Sequence, residues 1–99
     1  MGVQIEQVES DHLRLVGDLD FASFEPLRKS LNATTGAVTI DVSGVTFMDS
    51  TGLRVILERL RGGPITLLHP RPQIVRVLAL CGLADLEGLT VENRNVDSA

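Results

Sequence analysis

The chain has 99 residues, of which 43% are hydrophobic and 22% charged, and its formal net charge is -4. This length and composition fit one ordinary globular core and exclude a second. The acidic balance and the lack of a Lys/Arg cluster argue against direct nucleic-acid binding. No apolar run approaches the roughly 20 residues that a membrane-spanning helix needs.

The cysteine count and the N-terminal residues bear on cellular location. Cys81 is the single cysteine, and this usage is typical of a reducing compartment because no internal disulfide can form. We expect its side chain to be buried as a small hydrophobe. Residues 1–6 lack the basic and apolar segments of a secretory signal. The sequence therefore predicts a cytoplasmic protein that does not bind membranes.

The first third of the chain predicts two strands and a helix. Alternating apolar and polar residues at 3–8 and 12–17 indicate a β-hairpin. The Gly17–Asp20 segment ends the second strand, and Ser23 is the expected N-cap of a helix that ends between residues 32 and 36. The apolar stripe of this helix comprises Phe24, Leu27 and Leu31.

The middle third predicts a strand, a polar turn and a second helix. Val38, Ile40 and Val42 alternate with polar residues, so residues 37–42 form a strand. The core-facing stripe of the following helix comprises Leu53, Ile56, Leu57 and Leu60. Its predicted solvent face carries Arg54, Glu58, Arg59 and Arg61. The helix stops at residues 62–64, where the sequence is Gly-Gly-Pro.

The last third predicts a buried strand at residues 65–68 and a third helix that begins near Pro72. Gly82 fits a left-handed helix cap in which Leu83 contacts Leu78. Residues 89–91 form a short strand, and a polar tail begins at about residue 93. The whole is one α/β domain over residues 1–99, a mixed sheet of about five strands covered by helices in the order β-β-α-β-α-β-α-β.

The hydroxyls of Ser50 and Thr51 fall at or beside the start of the second helix. Unpaired backbone N–H groups and the positive end of the helix dipole favour a negative charge there, above all a phosphate. Phosphorylation of Ser50 is therefore one hypothesis. The alternative is that both residues only cap the helix. Asp49 suits a cap or a functional role, and Asp18 and Asp20 are typical turn formers.

Other chemistries lack the residues that they need. His12 and His69 have no spacing that joins them to Ser50 in a hydrolase triad, and there is no nucleophile-elbow sequence. Two distant histidines and one cysteine do not make a metal site. The phosphate-binding loop of nucleotide hydrolases is missing. We therefore expect no enzyme activity, no cofactor and no metal.

Several of these segments together resemble the STAS domain family, most closely the small stand-alone anti-sigma factor antagonists of bacteria. The Gly-Asp-Leu-Asp run at residues 17–20 precedes a helix, and Asp-Ser-Thr-Gly-Leu at residues 49–53 follows a strand and opens another. The stretch 41–45 and the Leu-Cys-Gly-Leu ending at residues 80–83 also match the family. The resemblance covers nearly all of residues 3–91. It implies the same α/β fold.

The resemblance also implies a function. In the family, the unphosphorylated domain binds an anti-sigma factor that is also a Ser/Thr kinase, and so releases a sigma factor. The kinase then phosphorylates the serine that corresponds to Ser50, with Thr51 as a secondary acceptor, and a PP2C-type phosphatase reverses the step. We expect a monomer or weak dimer. The expected partner-binding residues are Asp18, Asp20, Asp49, Ser50, Thr51, Gly52 and Arg54.

Two other functions are compatible with the same family. The chain could be an accessory STAS subunit that docks on a transporter ATPase, where the Ser50 turn only supplies packing, or a scaffold within a larger signalling assembly. A serine at the acceptor position favours the regulator. Many relatives have a longer second helix and a further C-terminal helix, which this sequence does not predict.

Overall fold

A computed structural model describes residues 2–83 and 86–92, and it has the predicted element order. The strands are β1 (Val3–Glu9), β2 (His12–Leu19), β3 (Val38–Met48), β4 (Ile65–Leu68) and β5 (Leu89–Glu92). The helices are α1 (Phe24–Asn32), preceded by a 3-10 turn at Phe21–Ser23, α2 (Ser50–Leu60) and α3 (Pro72–Leu80). The tail predicted from residue 93 lies outside the described residues. None of the described helices is long and apolar enough to cross a membrane.

The five strands form one mixed sheet in the spatial order β1-β2-β3-β4-β5. β1 and β2 pair antiparallel, as a short hairpin connection requires, and the three other pairs are parallel. Each parallel pair is joined through one of the helices, because parallel neighbours need a crossover. The predicted α/β fold is confirmed.

All three helices pack on one face of the sheet. Alternate residues of β2, β3, β4 and β5 join α1, α2 and α3 in a single core whose buried side chains are aliphatic. The opposite face carries polar residues together with the exposed Val16 and Phe47. On this face Arg14 lies 3.2 Å from Glu6 and 3.6 Å from Asp41. We call this second surface the helix-free face.

β3 continues six residues beyond its predicted end, from Val42 to Met48. Ser43 and Gly44 lie in a bulge, since Arg14 pairs with Asp41 but Val16 pairs with Gly44. The Asp41 carboxylate stabilises it by accepting a 2.9 Å hydrogen bond from the Ser43 N–H. A second shift follows before Phe47. Bulges let a strand bend and keep its pairing, so β3 reaches the end of β2.

The helix caps follow the predictions in part. Ser23 occupies the N-cap position of α1 but does not cap it; its hydroxyl donates instead to the Asp18 carbonyl at 2.7 Å. The end of α3 is confirmed. Gly82 has a φ of 75°, and the Leu83 N–H donates to the Leu78 carbonyl at 2.9 Å, as in a Schellman cap.

Two predictions of exposure were wrong. Arg59 was expected on the solvent face of α2 but is only 5% exposed. Its guanidinium donates to the Leu31 carbonyl at 3.1 Å and to the Gly36 carbonyl at 2.7 Å, which satisfies backbone groups at and beyond the end of α1. Cys81 was expected in the core but is exposed, because α3 turns Ile74 and Leu78 inward instead.

Candidate functional site

The predicted site residues meet where β2 and β3 end. Leu19 and Met48 are the last residues of these strands and are register partners. The pairing extends one step further, because the Asp49 N–H donates to the Leu19 carbonyl at 3.1 Å. α2 begins at the next residue, Ser50. The strand ends therefore fix both the position and the direction of the start of α2.

Asp49 is the N-cap of α2. One of its carboxylate oxygens accepts the Thr51 N–H at 2.8 Å and the Gly52 N–H at 3.1 Å. The backbone N–H groups that a helix start leaves unpaired are thus already taken by a carboxylate. The alternative in which Ser50 and Thr51 are the caps is wrong, because Asp49 occupies the N-cap position.

Ser50 is exposed at the first position of α2. Within residues 2–83 and 86–92, its hydroxyl makes no hydrogen bond, in contrast to the hydroxyls of Ser23 and Thr34. Thr51 is half-buried and its hydroxyl is likewise without a hydrogen bond among those residues. Ser50 is therefore the hydroxyl at this site that another protein can reach without any change in the fold.

Gly52 has a different place from its neighbours. It is buried, and a Cβ atom built on it would lie 2.3 Å from the Leu19 carbonyl oxygen. Gly52 was predicted among the partner-binding residues, yet it offers no side chain to the surface. It lets α2 approach the end of β2 closely. Arg54, one turn after Ser50 on the same helix, is exposed.

Three carboxylates lie at this end of the molecule. Asp18 accepts a hydrogen bond from the Thr46 hydroxyl at 3.1 Å, and Asp20 accepts one from the Ser23 N–H at 3.2 Å. Asp49 is the third. All are half-buried, and the ion pairs of the described chain include none of them. The surface around Ser50 is therefore negatively charged before any modification.

The sequence interpretation missed two side chains of this region, Phe21 and Phe47. Both are exposed. The available signal was their position, since neither belongs to the predicted apolar stripe of a helix or to the apolar alternation of a strand.

The described residues hold no cluster of His, Cys, Asp and Glu that could bind a metal ion.

Known proteins share the sequence pattern and the fold of this chain. Residues 3–91 match a family model described as "Mlab, STAS domain". The anti-sigma F factor antagonist of Lysinibacillus sphaericus is 32% identical over 109 aligned positions, which cover 98% of this chain and 93% of that protein.

Solved structures share the fold. Unphosphorylated SpoIIAA, an anti-sigma factor antagonist, superposes with a TM-score of 0.65 at 23% identity, covering 97% of this chain and 92% of SpoIIAA. An anti-sigma-factor antagonist (STAS) domain protein from Planctomyces limnophilus gives a TM-score of 0.69 at 16% identity, covering 99% and 95% of the two chains.

Proposed function

The chain belongs to the STAS domain family, and we propose that it is an anti-sigma factor antagonist. In this role it binds an anti-sigma factor and so frees a sigma factor for transcription. The role is one of binding without catalysis, in the cytoplasm. The relative from L. sphaericus, which aligns over nearly the full length of both chains, supports it.

Phosphorylation of Ser50 is the proposed off-switch. The observation that carries this step is the exposed Ser50 hydroxyl, which is at the first position of α2 and has no hydrogen bond among the described residues. A kinase active site must surround the acceptor hydroxyl, and exposure allows that. The anti-sigma factor is the proposed Ser/Thr kinase, and a PP2C-type phosphatase restores the hydroxyl. Thr51 is the secondary acceptor.

The phosphate acts on the partner more than on the fold. It adds about 1.5 to 2 negative charges beside Asp49, whose carboxylate already occupies the helix N-terminus. While the site is exposed, water hydrates the new charge. When a partner covers the site, the phosphate loses that hydration next to three carboxylates. A hundredfold loss of affinity corresponds to only about 2.7 kcal/mol, which one buried, unpaired charge can supply.

Binding measurements with the purified anti-sigma factor of the same organism test the proposal. We expect Ser50→Ala to bind like the unphosphorylated protein and to resist kinase treatment, and Ser50→Asp to bind at least about a hundredfold more weakly. Ser10→Asp is the matched control, because Ser10 is exposed in the hairpin turn before β2, whereas Ser50 lies beyond the end of that strand. If Ser50→Asp binds as tightly as Ser10→Asp, the switch is wrong.

The transporter-subunit alternative makes a different prediction. It requires no phosphoryl transfer, because the Ser50 turn would only pack against an ATPase. Incubation with the anti-sigma factor and ATP, followed by mapping of phosphate by mass spectrometry, separates the two functions. Phosphate on Ser50 supports the regulator, and an unmodified chain supports the transporter subunit.

A further inference from the structure

Two of the three aromatic side chains of this protein are exposed. The chain has three Phe and no Trp or Tyr, and Phe21 and Phe47 are 71% and 49% exposed. An isolated exposed apolar residue is ordinary. Aromatic rings, however, are the largest apolar groups available for filling a core, and the buried hydrophobic side chains among the described residues are Leu, Val, Ile and Met. The fold therefore does not need these two rings, and their location asks for another explanation.

Phe47 lies on the helix-free face, close to the end of the sheet. It pairs with Asp18 in the β2–β3 register, and the next pair, Leu19 with Met48, points into the core. Val16 is on the same face, two residues before Asp18, and is exposed. Its side chain lies across Gly44, since a Cβ there would be 2.8 Å from a Val16 methyl group. Val16 and Phe47 are thus two exposed apolar side chains on the same face, and Phe47 is three residues before Ser50.

Phe21 follows β2, which is the other strand that ends at the site. It begins the 3-10 turn after Asp20, and this turn contacts α2. Its ring centroid is 5.5 Å from that of Phe24, which packs against the core. Phe24 therefore contacts one side of the Phe21 ring, and most of the Phe21 side chain remains exposed. Phe21 follows β2, and Phe47 is the last residue but one of β3. These two strands are joined at their ends by the Asp49–Leu19 hydrogen bond.

The charges near the two rings limit what can cover them. Asp18, Asp20 and Asp49 surround the strand ends, and none belongs to an ion pair formed by the described residues. Two exposed cations border this region: Arg54 lies on α2, and the Arg71 guanidinium donates to the Ser43 carbonyl of β3 at 2.8 Å. A second copy of this acidic surface would be repelled. A partner with apolar pockets bordered by Lys and Arg would match both the rings and the carboxylates.

We propose that Phe21 and Phe47 are the anchor residues of the surface that binds the anti-sigma factor, and that the partner receives them in apolar pockets bordered by basic side chains. This inference rests on the proposed function and assigns it two residues. Phe47 comes three residues before Ser50, and Phe21 comes two residues after Leu19, whose carbonyl accepts the Asp49 N–H, so a partner that covers both rings also covers the start of α2. Such a partner would thereby make a phosphate on Ser50 costly, because the charge would be held in a dehydrated contact.

Calorimetric titration of the anti-sigma factor of the same organism into single variants tests the two anchors. We expect Phe21→Ala and Phe47→Ala each to weaken binding at least about tenfold, as truncated anchor residues do. Leu80→Ala is the matched control, since Leu80 is 81% exposed at the end of α3 and should leave the affinity unchanged. Rising salt should slow association of the wild type, since the contact is between opposite charges.

The outcomes separate a failure of the two anchors from a failure of the proposed function. If the wild type does not bind the anti-sigma factor, the proposed function fails and the anchors fail with it. If the wild type binds and phosphorylation of Ser50 releases it, but Phe21→Ala binds normally, the anchor assignment alone is overturned. An equal loss in Leu80→Ala overturns it as well. Because Phe47 is half-buried, its truncation could unfold the protein, and thermal melting must first show that Phe47→Ala is folded. If Phe47→Ala is unfolded, the affinity of Phe21→Ala alone tests the anchor assignment.

Discussion

At the scale of single residues, Asp49 caps α2 and Ser50 is the proposed switch. The sequence alone does not tell which of the two residues is the cap. Both are of types that cap helices. Asp49 alone has the geometry of a cap, with its carboxylate on the Thr51 and Gly52 N–H groups. The Ser50 hydroxyl is thereby left without a structural role. A switch residue can be modified without unfolding its own protein only under that condition.

Removing the cap should cost stability, whereas removing the Ser50 hydroxyl should not. We expect Asp49→Ala to lower the free energy of unfolding by about 0.5–2 kcal/mol, because the first turn of α2 loses its acceptor. Asp49→Asn should lose much less, since its amide oxygen can accept the same bonds. Urea denaturation measures both, with Ser50→Ala as the control. If Ser50→Ala destabilises as much as Asp49→Ala, the division of tasks is wrong.

At the scale of elements, the approach of α2 to β2 sets the position of the switch. Gly52 is buried under the last residue of β2, and the apolar stripe behind it, Leu53 and Ile56, packs in the core. Glycine is ordinarily a poor helix residue. Here the missing side chain lets the helix start lie against the strand end, which holds Ser50 at the surface.

This contact predicts a reversal of the usual helix preference. In a solvent-exposed helix position, Ala is more stable than Gly by about 1 kcal/mol. Gly52→Ala should instead destabilise the protein by about 1–3 kcal/mol, because its methyl group would overlap the Leu19 carbonyl. Thermal melting alongside Thr51→Ala checks the effect. A Gly52→Ala protein that melts at or above the wild-type temperature would contradict the close approach.

At the scale of the molecule, the sheet has one face under helices and one open to solvent. On the helix-free face, Arg14 forms ion pairs with Glu6 of β1 and Asp41 of β3. Burial of Asp41 acts to raise its pKa, but the hydrogen bond from the Ser43 backbone and the charges of His69 and Arg14 outweigh it. The net pKa of Asp41 is therefore lowered. The ionised carboxylate is thus favoured in the folded chain, where it holds the β3 bulge.

The lowered pKa predicts how stability changes in acid. A group whose pKa is lower in the folded state stabilises the protein above its unfolded pKa, and this contribution disappears as the pH falls through the folded value. We expect Asp41→Asn to be less stable than the wild type at neutral pH and to lose less stability on acidification. Urea denaturation over a pH series measures this. Asp11→Asn, an exposed hairpin substitution, should follow the wild-type curve.

Periodicity and capping residues predicted the order of elements, the mixed sheet, the Gly82 helix cap and the location of Ser50 at a helix start, because these signals act within a few positions of the chain. Contacts between distant segments decided the rest. Arg59 is buried because Leu31, 28 positions earlier, presents its carbonyl. β3 extends past Ser43 because β2 offers it partners. The exposure of Phe21 and Phe47 also depends on the assembled sheet, since a local pattern cannot tell which apolar side chains a finished core leaves outside.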